Sequence, residues 1–228
     1  YRGISQGDFL APQADEQASE LKTMHLADGS IGAWNSLYKE YYHPKAGAYR
    51  YSRELFVDKS SLKERLQQKD VRILEIGLGM GYTLFEILQV AQQSSQHLHV
   101  TTIDQDRMVL RDAMNVVPLK EHQEMLNALF ERGVYATQNV DVSFINQEAR
   151  FALRHIETPY DLIFVDPFLE SNNASLVSYE FFVALKKMLA PEGCLVTSTK
   201  LYAVQGGLIE AGFDVDVFKD ETSDIQGL

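Results

Sequence analysis

The spacing of apolar positions changes along the chain, and the change divides it. Tyr1 to Leu26 is polar, Gln-rich and weakly periodic, which predicts an N-terminal extension over residues 1–26. Asp28-Gly29-Ser30 is a turn signal. Tyr38 to Tyr51 is crowded with aromatic residues and interrupted by Pro44 and Gly47, the pattern of a loop with short strands. Ser52 to Gln68 carries Leu62 and Leu66 four residues apart and predicts a helix broken near Lys59.

From Val71 onward strands and helices alternate. The expected strands are Val71–Ile76, Leu98–Ile103, Val142–Ile145, Asp161–Val165, Cys194–Ser198 and Asp214–Phe218. Between them fall helices at Tyr82–Ala91, Asp106–Val116, Leu119–Glu131, Gln147–Ile156, Leu176–Leu189 and Ala203–Ala211. Pro191 and Gly193 read as the stop of the fifth helix, and Gly212 as the stop of the sixth. The alternation predicts an α/β fold: a mainly parallel, twisted sheet with helices on both faces and right-handed crossovers. Ligands in such a sheet bind beyond the carboxyl ends of the strands. The expected organisation is an extension (1–26), a segment lining the cleft (27–70) and a ligand-binding body (71–228).

Composition narrows the class. The 228 residues are 45% apolar and 23% charged, ordinary for a globular chain and wrong for a disordered or collagen-like one. No apolar run reaches the length of a membrane span, and Tyr1 to Gly7 does not read as a secretory leader, so a cytoplasmic setting is expected. Cys194 is the single cysteine, which excludes an intrachain disulfide and a thiol-based zinc site. The six histidines show no ligand spacing; His97 and His99 alternate on a strand and read as structural, so no metal is expected. Nothing in the sequence sets an oligomeric state.

Charge cuts two ways. The net charge of -11 repels nucleic acid at long range. Between Lys39 and Arg72, however, nine basic residues face five acidic ones, a local net of +4. That window is either a basic patch or a solvated helix face.

The chemistry concentrates at strand ends. Glu75-Ile76-Gly77-Leu78-Gly79-Met80-Gly81 closes the first strand of the alternation. Gly77 and Gly79 allow tight backbone and close ligand approach, and Gly81 lets the next helix pack near the strand. The spacing is G-x-G-x-G, unlike the G-x-G-x-x-G of dinucleotide binders. It resembles the first motif of S-adenosyl-L-methionine-dependent methyltransferases, with Glu75 as its acid. Asp104, after the second strand, is placed to accept from ribose hydroxyls, and Asp106 competes with it as a helix cap. Glu148 has two readings, a contact to the adenine amino group or a helix-start acid favoured by the macrodipole. Asp166-Pro167-Phe168 ends the fourth strand and resembles the Asp/Asn-Pro-Pro-Tyr/Phe motif of amine-directed methyltransferases. Asp166 and Phe168 are the candidate catalytic residues, and Pro167, Tyr42, His43 and Tyr51 the candidate substrate contacts. The aromatic group Trp34, Tyr38, Tyr41, Tyr42, Tyr49 and Tyr51 reads either as a base-stacking platform or as a packing cluster.

Three segments together are similar to one family. They are Ala27-Asp28-Gly29-Ser30 with Glu40-Tyr41-Tyr42-His43 and Gly47 to Val57; Leu74 to Gly81; and Asp166-Pro167-Phe168 with Ala203 to Leu208 and Ala211-Gly212-Phe213. They resemble the MnmC-type tRNA methyltransferase domain in its stand-alone form, within the Rossmann-like class I methyltransferases. The resemblance implies S-adenosyl-L-methionine as cofactor, tRNA as partner, and methylation of the 5-aminomethyl group of wobble uridine. Tyr51 stands where that family carries an acid, and Gln147-Glu148-Ala149 where Gly-Asp-Ala is frequent. Competing expectations are a small-molecule amine as acceptor, an aminopropyltransferase of the spermidine-synthase kind, and a non-catalytic binding module.

Overall fold

The computed structural model describes residues 22–156, 159–167, 173–199, 201–219 and 226–227. Its centre is a six-stranded sheet built from β4 (Val71–Ile76), β5 (Leu98–Asp104), β6 (Val134–Ala136), β7 (Val140–Asn146), β8 (Tyr160–Val165) and β9 (Leu189–Thr197). The strand order is β6-β7-β5-β4-β8-β9. All pairings are parallel except β6 with β7. The chain therefore winds outward from β4 in one direction through β5 and β7, and in the other through β8 and β9. The switch point lies between β4 and β8, where a crevice opens at the carboxyl ends.

Alternation along the strands explains the two layers. Val71, Ile73, Leu162 and Phe164 enter one buried cluster, with α2 (Leu62–Leu66), α3 (Tyr82–Ala91), α4 (Met108–Met114) and α5 (Lys120–Arg132). Leu74, Ile76, Ile163 and Val165 enter the other, with α6 (Ala149–Ala152), α7 (Tyr179–Met188) and α8 (Tyr202–Glu210). A strand side chain changes face at every step, so a near-continuous apolar run serves both layers.

Two expectations about strands are corrected. Pro191 and Gly193 do not separate a helix from a strand; both lie within β9. β9 is the edge strand, where a missing N–H costs no ladder bond. A register shift opposite Tyr160 and Leu162, with Glu192 at φ 61°, absorbs the irregularity. The strand expected at Asp214–Phe218 is reduced to Phe218–Lys219, paired with Gln226–Gly227 away from the main sheet. Val215 still packs on the second core.

The N-terminal segment is also more structured than its pattern suggests. Lys22–His25 (β1) pairs antiparallel with Ile31–Asn35 (β2), which pairs with Glu40–Tyr41 (β3). Ala48–Ser52 forms a helical turn (α1), where a loop was expected. Arg53–Asp58 continues it as a π-helix. The fully buried Tyr82 clamps this layer to the body: its hydroxyl accepts from the Ile31 N–H (3.0 Å) and donates to the Ile31 carbonyl (2.9 Å). Asp28 ties the hairpin turn to α1 by accepting the Ser30 N–H (3.0 Å) and the Arg50 N–H (2.9 Å).

Candidate active site

A cleft of about 740 Å³ opens at the switch point, over the carboxyl ends of β4, β5, β7 and β8. One wall comes from the segment before β4 and includes Glu40, Tyr42, His43 and Tyr51. Its floor is the Gly77–Gly79 turn, with Asp104, Glu148, Asp166 and Pro167 around it. Phe168 lies outside the described residues.

The glycine turn is tightly dictated. Gly77 has φ 95°, and a Cβ there would stand 2.5 Å from the Asp166 carbonyl oxygen. The backbones of the two site loops thus approach as closely as only glycine permits. The other two glycines differ from expectation in what they face. A Cβ on Gly79 would meet the Tyr42 ring at 3.2 Å, and one on Gly81 would meet Leu126 of α5 at 2.7 Å. Gly81 makes room for α5, not for the strand. Sequence gave no sign of His122, which is fully buried beneath the turn with Nε2 3.0 Å from the Met80 carbonyl. That contact makes Nε2 the N–H donor. Burial lowers the His122 pKa to about 4, so the imidazole is neutral.

Asp104 braces the turn from β5. Its two carboxylate oxygens accept from the Gly79 N–H and the Asp106 N–H, each at 2.9 Å. Burial raises its pKa, and those backbone donors oppose the rise. Each oxygen keeps a lone pair for a hydroxyl donor from the cleft. Asp106 accepts from the Met108 N–H (3.0 Å) at the start of α4, the capping role.

Glu75 is 1% exposed at the end of β4. Neither carboxylate oxygen has a hydrogen-bond partner among the described residues. Burial pushes its pKa up to about 8; nearby Thr102 opposes the rise, and Asp166 and Asp104 reinforce it. An uncompensated buried acid beside a glycine turn suits a ligand with a cationic end. Glu148 holds Arg150 with one oxygen (2.8 Å), while its other oxygen is buried without a partner.

At the end of β8, Asp166 accepts from the Tyr51 hydroxyl at 2.9 Å across 115 positions of sequence. Burial raises the Asp166 pKa to about 6; hydrogen bonds from Ser198 and Tyr51 hold it down, and Glu40 pushes it up. Burial, then the Asp166 charge, drives the Tyr51 phenol well above its usual pKa. Tyr51 is therefore the donor in this pair, and Asp166 titrates near neutrality. His43 sits between Tyr42, Tyr51 and Tyr82, at ring-centroid distances of 6.4, 6.1 and 4.9 Å. Burial, then His122, lowers its pKa to about 3. Neutral His43 and His122 add no positive charge beside the cleft.

The aromatic group divides. Tyr38, Tyr41, Tyr42 and Tyr51 line the cleft. Tyr49 instead packs edge-on against Tyr82 (4.8 Å), and Trp34 against Tyr41 (4.9 Å). Among the described residues, three of the nine bases in the window are held in internal ion pairs: Arg50 with Glu54, Arg53 with Glu86, and Lys69 with Asp161. Lys45 is the member that lines the cleft among the described residues. The acids Glu40, Asp104, Asp106, Glu148 and Asp166 outnumber the bases Lys45 and Arg150 along the lining, so the cleft favours cationic guests.

These features fit S-adenosyl-L-methionine. Gly77 and Gly79 would admit it, Asp104 would take its ribose hydroxyls, Glu75 would face its ammonium, and the spare Glu148 oxygen would take an N–H.

Comparisons with known proteins follow the same line. Residues 110–222 match the model of an S-adenosyl-L-methionine-dependent methyltransferase family. The chain is 26% identical over 204 residues to the tRNA 5-methylaminomethyl-2-thiouridine biosynthesis bifunctional protein MnmC of Burkholderia thailandensis, covering 82% of this chain and 31% of that one. It is 23% identical over 196 residues to the protein of the same name from Stutzerimonas stutzeri, covering 78% and 30%. The chain thus spans about a third of the length of these relatives. The crystal structure of MnmC2 from Aquifex aeolicus shares the fold, with a TM-score of 0.79 at 23% identity over 93% of this chain and 70% of that one.

Proposed function

We propose that this chain, which carries an S-adenosyl-L-methionine-dependent methyltransferase domain of the MnmC type, N-methylates the 5-aminomethyl group of wobble uridine in tRNA. The reading assigns Glu75, Gly77, Gly79, Asp104 and Glu148 to the cofactor, Gly81, first expected beside them, to the packing of the turn on α5, and Asp166 to the acceptor amine. Tyr42, His43, Tyr51 and Pro167 form the acceptor wall, and the segment 27–70 supplies most of it. Such a substrate puts the reaction in the cytoplasm.

The observation that carries this reading is the Tyr51–Asp166 pair at the mouth of the glycine turn. S-adenosyl-L-methionine, when bound, supplies an electrophilic methyl group. What the chain's own residues must do is present a neutral amine to it. An alkyl ammonium has a pKa of about 10, so neutralising it at pH 7 costs about 4 kcal/mol. Burial works on both partners: it lowers the ammonium pKa and has already raised that of Asp166 to about 6. The gap between donor and acceptor narrows, and Asp166 takes a hydrogen bond and then the proton. The Tyr51 hydroxyl holds the carboxylate in one orientation while this happens. The aromatic wall of Tyr42, His43 and Tyr51 suits a flat base.

The test is transfer of labelled methyl from S-adenosyl-L-methionine to tRNA bearing 5-aminomethyl-uridine, against a panel of small amines, with nucleoside analysis of the product. The reading predicts label in 5-methylaminomethyl-uridine and little in the panel. Label in free amines alone would replace the acceptor; label in neither would remove the reading.

A further inference from the structure

The opposite edge of the sheet, at the amino ends of β5 and β7, gathers three metal-ligating side chains that the cleft does not use. His97 precedes β5 and His99 follows two residues later, so the two side chains share one face of the strand. Asp141 of β7 stands in register with His99. His97 Nε2 lies 2.8 Å from an Asp141 carboxylate oxygen, and His99 Nδ1 lies 3.6 Å from the same oxygen. The two imidazole centroids are 4.5 Å apart. One ligand atom from each residue falls within 4.8 Å of the other two. The His97/His99 alternation is visible in the sequence, but their carboxylate partner comes from a strand more than 40 positions away.

The backbone under the cluster is fixed from several sides. The His97 N–H donates to Asp70 Oδ1 at 2.7 Å, and the His97 carbonyl accepts from the Val71 N–H at 3.0 Å. The Leu98 N–H donates to the Asn139 carbonyl at 2.9 Å, and the Asn139 amide in turn donates to the carbonyls of Ala91 (2.8 Å) and Ser94 (2.9 Å). Side chains on ordered strands with locked neighbours hold a site better than loop residues do.

We infer that His97, His99 and Asp141 form a site for one divalent transition-metal ion of the zinc class. Two imidazoles and a carboxylate suit Zn²⁺, whereas Mg²⁺ and Ca²⁺ take oxygen donors. Ligand atoms bound at about 2.0–2.2 Å around a tetrahedral ion stand about 3.4 Å apart. The cluster is already close to that spacing, so little rearrangement is needed. The carboxylate gives up its hydrogen bond to His97 and both become ligands, with one coordination position left to solvent. The ion then cross-links β5 to β7. It sits about 20 Å along the strand from Asp104, too far to touch the transfer chemistry, so it acts on the stability of the sheet.

The test uses tag-free, chelator-treated protein titrated with Zn²⁺ alone, read by calorimetry and by thermal unfolding. One equivalent binds with a Kd in the micromolar range or below. At about 100-fold excess over Kd the unfolding midpoint rises by about 5 °C. The double variant His97→Ala/His99→Ala weakens that affinity at least tenfold and abolishes the rise. Its S-adenosylhomocysteine affinity stays within twofold of wild type. Asp141→Asn, which keeps an acceptor for His97, also weakens Zn²⁺ binding at least tenfold, and decides the matter should the double variant not fold. Absence of a saturable one-equivalent event, or unchanged affinity in the variants, overturns the site.

Discussion

The glycine turn after β4 and the carboxylate rim at the end of β8 sit on adjacent parallel strands, yet they are held in different ways. The turn is braced by near neighbours in the body: Asp104 through the Gly79 N–H, and His122 through the Met80 carbonyl. The rim is completed by Tyr51, from a layer that reaches the body through the Tyr82 clamp. The first region is rigid backbone with buried acid; the second is a side-chain pair assembled from two layers. Changes in the turn should therefore disturb binding and folding together, while changes in the rim should disturb transfer and leave the cofactor site intact.

The largest effect is expected from Gly77→Val. A Cβ 2.5 Å from the Asp166 carbonyl, at φ 95°, combines a backbone clash with a strained conformation. It should cost about 3 kcal/mol or more in denaturant unfolding and eliminate S-adenosylhomocysteine binding. Asp166→Asn comes next. It should leave S-adenosylhomocysteine affinity within twofold and lower the transfer rate by about 10²–10⁴. In the unaltered chain the rate should climb as pH rises through about 6, where the Asp166 carboxylate forms. The variant should lack that limb. Near-normal turnover in Asp166→Asn would erase the distinction between the two regions.

Glu75→Gln probes the turn more gently. The folded carboxyl keeps its proton up to about pH 8, whereas an unfolded one releases it near 4.5. The folded state binds more protons across that window, so wild-type stability should fall as pH rises from about 4.5 to 8, by about 1.4 kcal/mol for each unit of pKa difference. The variant should flatten that slope in unfolding experiments at pH 5 and pH 8. It should also weaken S-adenosylhomocysteine at least tenfold. The smallest effect belongs to Tyr51→Phe, which removes one hydrogen bond and keeps the ring. Transfer should drop by about threefold to tenfold. Because Tyr51 stabilises the Asp166 carboxylate, the pH limb should move upward; a downward move would mean the phenol plays a different part.

The same contrast governs what could be read before the structure was known. Gly77, Gly79 and Glu75 lie within five residues, directly after an apolar strand, so local spacing announces them. Asp104 follows from counting to the next strand end. Tyr51 was singled out, but its partnership with Asp166 spans 115 positions and no local pattern encodes it. His122 looked like any polar residue on an amphipathic helix; only the packing of α5 under the turn gives it a place. In the fold, Tyr82–Ala91 was legible to the residue because a glycine turn sets its start. β6 was missed because three residues carry no periodicity. Pro191 and Gly193 misled because an edge strand with a bulge tolerates what a central strand rejects. The +4 window left open a basic patch or a solvated helix face; in the fold two of its bases, Arg53 and Lys69, answer acids on other elements.

The most direct test is a crystal structure with S-adenosylhomocysteine. The account predicts its ribose hydroxyls on Asp104, its amino-acid end between Gly77 and Glu75, and its sulfur turned toward Asp166 and Tyr51. A nucleoside lodged elsewhere, or a sulfur facing away from the end of β8, would contradict it.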